Sequence, residues 1–264
     1  MELQEISNIL IDVIKKSKKD IIEKQSINNI QKKSYQDYVT NLDIEIENYL
    51  ISELSNKLQN ISIFSEEKIK NEIDISDINC IVIDPLDGTL NAISHLDFYA
   101  ISIAYLENGL PKIGITYDFK RDEIFYAIEN LGFFINNQKI SHHNQNKSNI
   151  IAISNDFLIK AIEQKSDIIK NLRKFGKIRI LGSQTLHLAY VAAGKVKFNI
   201  NFEAKFWDDA AGYVMLKEAG LNYKNFSGKN IFPKIKLNPK ENLLSVAGNE
   251  SDLNEVKKLI KGII

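Results

Sequence analysis

The segment IVIDPLDGTLNA, residues 81–92, constrains the fold most strongly, because an apolar run ends there directly in two acids. The run before Asp84 is typical of a buried strand, and Asp87 follows one turn later across a proline. Two carboxylates at the end of a buried strand repel each other and lose hydration, and both effects cost free energy. A fold that places them there therefore needs a compensating charge.

The composition allows a sizeable core and excludes some classes of partner. The chain has 264 residues, of which 44% are hydrophobic, enough for one large domain or two closely packed halves. The 34 Lys and Arg residues balance the 34 Asp and Glu residues, so no net basic charge points to nucleic acid or to an anionic membrane. We therefore expect no direct nucleic-acid binding.

The cysteine content and the N-terminal sequence favour a cytoplasmic protein. The single cysteine, Cys80, cannot form a disulfide within the chain, which fits a reducing compartment. The first twenty residues mix acids and lysines and lack the apolar core of a signal peptide. No window approaches 18 uninterrupted apolar residues, so we expect no membrane span.

Hydrophobic periodicity predicts two differently built halves. Helical spacing predicts amphipathic helices at about 3–24 and after Thr40. Strand-like runs separated by turn residues then predict an antiparallel meander. The polar stretch 141–149 is the best boundary, so we divide the chain into 1–145 and 146–264. Strands and helices alternate in the second half, as in an α/β layer.

Acidic residues recur at predicted strand ends and helix starts, namely Glu66, Glu67, Asp84, Asp87, Asp208 and Asp209. Hard cations such as Mg²⁺ take carboxylate and carbonyl oxygens as ligands. The proline between Asp84 and Asp87 fixes a turn, so both side chains and the Leu86 carbonyl can converge. Gly88 permits close approach to the backbone, and N–H groups at a helix start can hold a phosphate. This combination predicts phosphoryl transfer to water, with Thr89 orienting the water.

Each of these signals also has a plainer structural interpretation. Asp-Pro-x-Asp-Gly is ordinary turn chemistry. An acid such as Asp208 at the start of a helix usually caps it. Glu66 and Glu67 would ordinarily form a solvated pair, and Thr89 is also a common helix-start residue. Taken singly, the signals leave both interpretations open.

Taken together and in order, three motifs resemble the inositol monophosphatase family. They are SEE at 65–67, DPLDGTLN at 84–91, which fills that family's DP-[IL]-DGT-x-N, and WDDAAG at 207–212, which fills WD-x-A-[AG]-G. VTNLD at 39–43 also resembles a VT-x-x-D segment. The resemblance implies a lithium-sensitive phosphomonoesterase that uses two or three Mg²⁺ ions and acts by metal-activated water attack. It implies a homodimer and a layered α-β-α-β-α sandwich, with an antiparallel sheet in the N-terminal half and a mixed sheet in the C-terminal half.

The resemblance also carries roles onto particular residues. The family's metal ligands match Glu66, Asp84, the Leu86 carbonyl, Asp87 and Asp208. Its catalytic positions match Glu66, Thr89 and Asp43. Its substrate-binding positions match Asp87, Gly88, Thr89, Gly182, Ser183, Gln184, Asn201 and Asp208. A lysine near its metal site matches Lys32 or Lys33, which the sequence does not separate.

Three departures leave the alcohol part of the substrate open. The aromatic residue that commonly follows the first motif is Ala92, the acid that touches the sugar ring in several inositol-phosphate enzymes is Asn201, and the small residue after Gly-Ser is Gln184. Leu90 after Asp-Gly-Thr favours the inositol-phosphate branch, so myo-inositol 1-phosphate is the first expectation. A fructose-1,6-bisphosphatase-type or other sugar or nucleotide phosphatase of the same family is an alternative, as is a regulatory binding protein on a phosphatase fold.

Overall fold

The structure is a computed structural model that describes residues 1–24, 27, 29–34, 37–140, 148–164 and 167–261. The boundary predicted near residue 145 lies outside the described residues. The division into 1–145 and 146–264 therefore stays a prediction.

The N-terminal half begins with two helices and continues as a run of strands. The helices are α1 (Leu3–Ser17), which continues as a π-helical turn (Lys18–Ile22), and α2 (Asn41–Lys57), with the short strands β1 (Gln31–Ser34) and β2 (Asp37–Val39) between them. The following elements are β3 (Ser62–Ser65), β4 (Ile73–Asp74), β5 (Asn79–Asp87), α3 (Thr89–Ile93), β6 (Ala100–Glu107), β7 (Leu110–Asp118), β8 (Glu123–Ile128), β9 (Gly132–Ile135) and β10 (Gln138–Lys139).

The C-terminal half alternates strands and helices as predicted. Its elements are β11 (Ile150–Ile153), α4 (Asn155–Gln164), α5 (Asp167–Leu172), β12 (Lys177–Arg179), α6 (Gln184–Ala192), β13 (Phe198–Asn201), α7 (Phe206–Glu218), β14 (Asn222–Asn225), β15 (Lys236–Leu237), β16 (Ser245–Gly248) and α8 (Glu250–Ile260). Helix α2 begins after Thr40, whose hydroxyl accepts a hydrogen bond from the Leu42 N–H at 3.2 Å. This N-cap explains why the helix starts where the sequence predicted it.

Two main sheets form the framework. The seven-stranded sheet has the order β10-β9-β8-β7-β6-β5-β3 and is antiparallel except for the parallel pair β3 and β5. The five-stranded sheet has the order β12-β11-β13-β16-β14 and is mixed, because β11 runs parallel to both of its neighbours. The predicted sheet types are confirmed, with β3 as the one parallel addition to the antiparallel meander.

The predicted layering is also confirmed by where the side chains pack. Helices α1 and α2 cover one face of the seven-stranded sheet, α6 and α7 lie between the two sheets, and α4, α5 and α8 cover the far face of the five-stranded sheet. Along β5, Ile81 and Ile83 face α1 and α2, whereas Cys80 and Val82 face the middle layer. Because side chains alternate along a strand, Asp84 also points toward the middle layer.

Among the described residues, no helix combines the length and the apolar character that crossing a bilayer requires.

Candidate metal centre and active site

A bulge near the end of β5 brings Asp84 and Asp87 to the same side. Asp84 is only 1% exposed, and its Oδ1 accepts a hydrogen bond from the Leu86 N–H at 3.0 Å. The pairing of β5 with β6 shifts register between Asp84 and Asp87, so the strand bulges there. The bulge allows two acids three residues apart to converge, as the sequence predicted.

Helix α7 supplies the third acid. Its N-cap is Lys205, so Asp208 is the third residue of the helix and not the cap itself. Asp208 Oδ2 accepts a hydrogen bond from the Lys205 N–H at 2.7 Å, which fixes the carboxylate at the helix start. One carboxylate oxygen from each of Asp84, Asp87 and Asp208 lies within 4.8 Å of the other two. The helix-capping and metal-binding interpretations of Asp208 are therefore compatible.

The pKa values of this trio show that its negative charges lack compensation. Burial, followed by the charges of Glu66, Asp87 and Asp208, raises the pKa of Asp84 well above its ordinary value. Burial and the neighbouring acids raise the pKa of Asp208 in the same way. Burial also raises the pKa of Asp87, although hydrogen-bond donors partly oppose it. A divalent cation would remove this cost, because it attracts all three carboxylates at once.

The donor set fits a hard cation such as Mg²⁺. All three groups are carboxylates, and the Leu86 carbonyl lies in the same turn. Asp87 Oδ2 already accepts hydrogen bonds from Ser183 Oγ and the Thr185 N–H, each at 2.6 Å. These donors hold the side chain in place. Ser183, which the resemblance places against substrate, here contacts Asp87.

Glu66 lies at the end of β3, outside the trio of converging carboxylates. Its N–H donates to the Ile83 carbonyl at 3.1 Å, and its carboxylate accepts from Lys33 Nζ at 2.9 Å. Lys33 Nζ also contacts Glu67 at 2.5 Å, so the lysine in contact with these acids is Lys33. Burial lowers the pKa of Lys33, but the charges of Glu66 and Glu67 outweigh it and raise the pKa. Burial, with the charge of Glu66, raises the pKa of Glu67 to about 7.

Thr89 and Asp43 form a second group beside the carboxylates. Thr89 Oγ1 lies 2.9 Å from Asp43 Oδ1 and 3.0 Å from the Leu86 carbonyl oxygen. The hydroxyl has one proton for these two acceptors. Asp43 is 1% exposed and also accepts from the Thr40 N–H at 2.9 Å, while burial raises its pKa. The predicted association of Asp43 with Thr89 is therefore present in the structure.

Two glycines bring the halves of the site together. Gly88 has φ of 92°, and a Cβ there would lie 3.1 Å from the Gly182 carbonyl oxygen. Gly182 has φ of 80°, and a Cβ there would lie 2.8 Å from the Asn91 side chain. Asn91 Nδ2 donates to the Phe98 and Leu181 carbonyls at 2.8 and 2.7 Å. Both positions therefore require glycine for backbone conformation and for space.

Gln184 and Asn201, predicted to bind substrate, are buried and bonded to each other. Asn201 Nδ2 donates to Gln184 Oε1 at 2.7 Å, and Asn201 Oδ1 accepts from the Glu203 and Ala204 N–H groups at 2.7 Å. Gln184 Nε2 donates to Asp209 Oδ1 at 2.7 Å. Their amide groups are thus occupied within the protein, and any part they have in substrate choice acts through the shape of the site.

The sequence interpretation grouped Asp209 with the candidate cation-binding acids, but the structure places it at the centre of this network, which the sequence did not predict. Asp209 is fully buried, and its Oδ2 accepts from Tyr223 Oη at 2.5 Å and from Ser245 Oγ at 3.1 Å. Burial raises the pKa of Asp209 to about 6, although these donors oppose the rise. The second acid of WDDAAG was the only signal in the sequence, because Tyr223 and Ser245 come from distant strands. We call Gln184, Asn201, Asp209, Tyr223 and Ser245 the closed network.

Comparison with known proteins agrees with this geometry. Residues 2–259 match the model of the inositol monophosphatase family. The chain is 35% identical, over 79% of its length and 80% of the relative, to the fructose-1,6-bisphosphatase/inositol-1-monophosphatase of Thermotoga maritima. It is 34% identical, over 74% of each chain, to Nus factor SuhB of Pasteurella multocida.

Solved structures show the same fold. A staphylococcal inositol monophosphatase, described as a lithium-chloride-soaked inhibitory complex, superposes with a TM-score of 0.81 at 25% identity. The match covers 99% of this chain and 97% of that one. The layered architecture is therefore shared over nearly the whole chain.

Proposed function

This chain belongs to the inositol monophosphatase family, and from that premise we propose that it is a Mg²⁺-dependent phosphomonoesterase that hydrolyses a small polyol phosphate. The observation that carries the proposal is the convergence of carboxylate oxygens from Asp84, Asp87 and Asp208 beside the Gly88–Thr89 turn. Myo-inositol 1-phosphate is the first candidate substrate. Fructose 1,6-bisphosphate is the second, because the Thermotoga relative carries both names.

The residues of the chain take distinct roles in the proposed reaction. Mg²⁺, when bound, polarises the phosphate ester and lowers the pKa of the attacking water. The ligands are Asp84, Asp87, Asp208, Glu66 and the Leu86 carbonyl. Thr89 donates its hydroxyl proton to Asp43, so its oxygen can accept a hydrogen bond from the attacking water.

In the proposed reaction, water attacks phosphorus directly and no covalent enzyme intermediate forms. A bond forms between the water oxygen and phosphorus, and the bond between phosphorus and the alcohol oxygen breaks. Glu66 accepts the proton that the water loses, the Thr89 oxygen accepts a hydrogen bond from that water, and the departing alcohol takes up a proton from solvent. Gly88 and Thr89 orient the phosphate through their backbone.

A regulatory binding role is the second candidate. Its support is the set of relatives named Nus factor SuhB, among them the Pasteurella protein. The converging carboxylates favour catalysis, because a binding protein has no need for one buried and two partly buried acids whose pKa values are all raised. Strong turnover together with no stable partner in a pull-down would exclude this second role.

We further propose a homodimer located in the cytoplasm, with no direct nucleic-acid partner. The assembly follows from the family resemblance, and the location from the single buried cysteine. Light scattering at several protein concentrations tests the assembly. A monomer throughout would refute it.

The experiment that tests the function is phosphate release from a panel of esters with Mg²⁺. The panel contains inositol 1-phosphate, fructose 1,6-bisphosphate, 3′-phosphoadenosine 5′-phosphate and histidinol phosphate. We expect preference for a polyol ester, activity that needs Mg²⁺, and inhibition by lithium. Full activity in excess chelator would contradict the metal role, and preference for the nucleotide or histidinol ester would redirect the substrate class.

A further inference from the structure

A groove of about 890 Å³ opens on the C-terminal half, and none of the proposed metal ligands lines it. It lies between α8 and the segment that joins β14 to β16. Its apolar lining comes from Phe226, Ile231, Leu244 and Ile260. This volume is in the range that suits a small organic ligand, on the order of 300–1,000 Å³.

The rim of the groove carries a net positive charge. Lys257, Lys258 and Lys261 line it from the end of α8, and within the described part of the chain none of them forms an ion pair. The lysine on the opposite side, Lys234, is already paired with Glu241 at 2.6 Å. An anion in the groove would therefore meet a rim with a net positive charge, in which Glu241 is already paired with Lys234 and Glu250 acts on Lys257 without forming an ion pair.

Lys257 is held over the groove by packing and not by a charge partner. Its Nζ lies 3.1 Å from where a Cβ on Gly228 would be, so the ammonium rests against the turn that begins at Asn225. Burial, with the charge of Lys224, lowers the pKa of Lys257. Lysines at the C-terminal end of a helix often have no role beyond a favourable interaction with the helix dipole. That role does not explain an apolar cavity beneath them.

A chain of hydrogen bonds connects the groove to the carboxylate trio. Leu243, which lines the groove, donates its N–H to the Ala204 carbonyl at 2.7 Å. Asn242, also in the lining, accepts from Lys205 Nζ at 2.7 Å. The Lys205 N–H in turn holds Asp208 Oδ2. A ligand that shifts residues 242–243 therefore acts on the loop that positions a metal ligand.

We propose that this groove is an effector site for a small organic anion with an apolar body, and that its occupancy changes the affinity of the carboxylate trio for Mg²⁺. The charge of the rim selects an anion, and the apolar lining selects the body. The coupling to Mg²⁺ rests on the proposed function. The binding of the anion does not depend on the proposed function, so an experiment can refute the anion site and the phosphatase activity independently.

The test of binding uses anilinonaphthalene sulfonate, an aromatic anion, as the probe. We expect saturable one-to-one binding by calorimetry and amide shifts in ¹⁵N spectra that are largest at 225–231, 241–244 and 257–261, with smaller shifts passed on to 204–208. The triple variant Lys257→Gln, Lys258→Gln, Lys261→Gln should bind about tenfold or more weakly. The control, Lys24→Gln, Lys57→Gln, Lys70→Gln, removes the same charge from exposed lysines of the N-terminal half and should bind as the parent does.

Three outcomes would overturn the site: no saturable binding, no amide shifts in the three segments that line the groove, or equal affinity in the triple variant. If the triple variant is unstable, Lys258→Gln alone serves, with an expected loss of about threefold. A peptide of alternating Glu and Leu is tested in parallel. Binding of the peptide without the probe would replace the proposal with a protein-docking surface.

The coupling is tested by calorimetric Mg²⁺ titration with and without saturating probe. Linkage requires that the probe change Mg²⁺ affinity by the same factor by which Mg²⁺ changes probe affinity. We expect a reciprocal change of about threefold or more, and its loss in Lys205→Met, which lacks the contact to Asn242. Probe binding with no effect on Mg²⁺ affinity would refute the effector role. Both titrations measure binding and not turnover, so they remain valid even if the protein hydrolyses none of the esters.

Discussion

Asp208 and Asp209 are adjacent in sequence and belong to two opposite kinds of polar site. Asp208 joins Asp84 and Asp87 in a trio of carboxylates that raise one another's pKa values. Asp209 belongs to the closed network, where three side-chain donors reach its carboxylate. The carboxylate trio has more negative charge than its hydrogen-bond donors neutralise. The closed network supplies its single acid with three side-chain hydrogen bonds.

The difference separates a site built for a ligand from one built for the fold. A buried acid is tolerated when donors surround it, because the lost hydration is replaced. The donors of the trio do not offset the repulsion between its charges, so a bound cation is needed to stabilise it. Helix α7 serves both purposes at once, since its first turn anchors one acid in each region.

The largest expected effect comes from removing one ligand of the trio. Asp87→Asn keeps an oxygen that can accept from Ser183 and Thr185, but it removes a charge that would bind the cation. We expect phosphate release to fall by about a thousandfold or more, or about 4 kcal/mol. The metal-free melting temperature should not fall, because repulsion within the trio decreases. Near-parental turnover in this variant would refute the assignment of the metal site.

The closed network should respond in the reverse way. Asp209→Ala leaves Gln184 Nε2, Tyr223 Oη and Ser245 Oγ without their buried acceptor. We expect the free energy of unfolding to fall by about 4 kcal/mol, measured in urea. Tyr223→Phe is the matched control and should cost about 1 kcal/mol. If Asp209→Ala lowers the free energy of unfolding by less than Tyr223→Phe does, the network contributes little to stability.

The third prediction is that the free energy of unfolding depends on pH through the protonation of His187. The ring is buried, neither ring nitrogen has a partner among the described residues, and burial lowers its pKa from 6.5 to about 4. The unfolded chain therefore takes up the proton first as the pH falls. Between pH 6.5 and about 4 the parent should lose up to about 3 kcal/mol relative to His187→Leu.

The measurement is the difference in unfolding free energy between the two proteins across that pH range, which cancels the contributions of other titrating groups. Above pH 6.5 the difference should be constant. A difference that stays constant down to pH 4 would mean that His187 has a hydrogen-bond partner in solution, such as a buried water.

The sequence could predict the elements that local patterns determine, and it could not predict contacts between distant segments. The apolar run and the acid-proline-acid turn were sufficient to predict β5 and the convergence of Asp84 and Asp87. Resemblance added Asp208 and the layered fold. Neither could show that Gln184 and Asn201 bond each other, because their pairing depends on how α6 packs against β13. For the same reason, only the structure distinguished Lys33 from Lys32.

The smallest expected effect tests whether Lys33 opposes or assists the cation. Its ammonium lies 2.9 Å from Glu66, so it neutralises an acid that the resemblance assigns to Mg²⁺. Lys33→Gln removes this competing charge and should tighten Mg²⁺ binding about threefold by calorimetry, with a loss of about 1 kcal/mol in metal-free stability.

Lys32→Gln is the control, because it removes the same charge one residue away and leaves the ion pairs of Lys33 with Glu66 and Glu67 in place. It should change Mg²⁺ affinity less than Lys33→Gln does. Weaker Mg²⁺ binding in Lys33→Gln would reverse the interpretation. Lys33 would then be a positioning residue that holds Glu66 toward the trio, and its ammonium would assist the binding of Mg²⁺ and not compete with it.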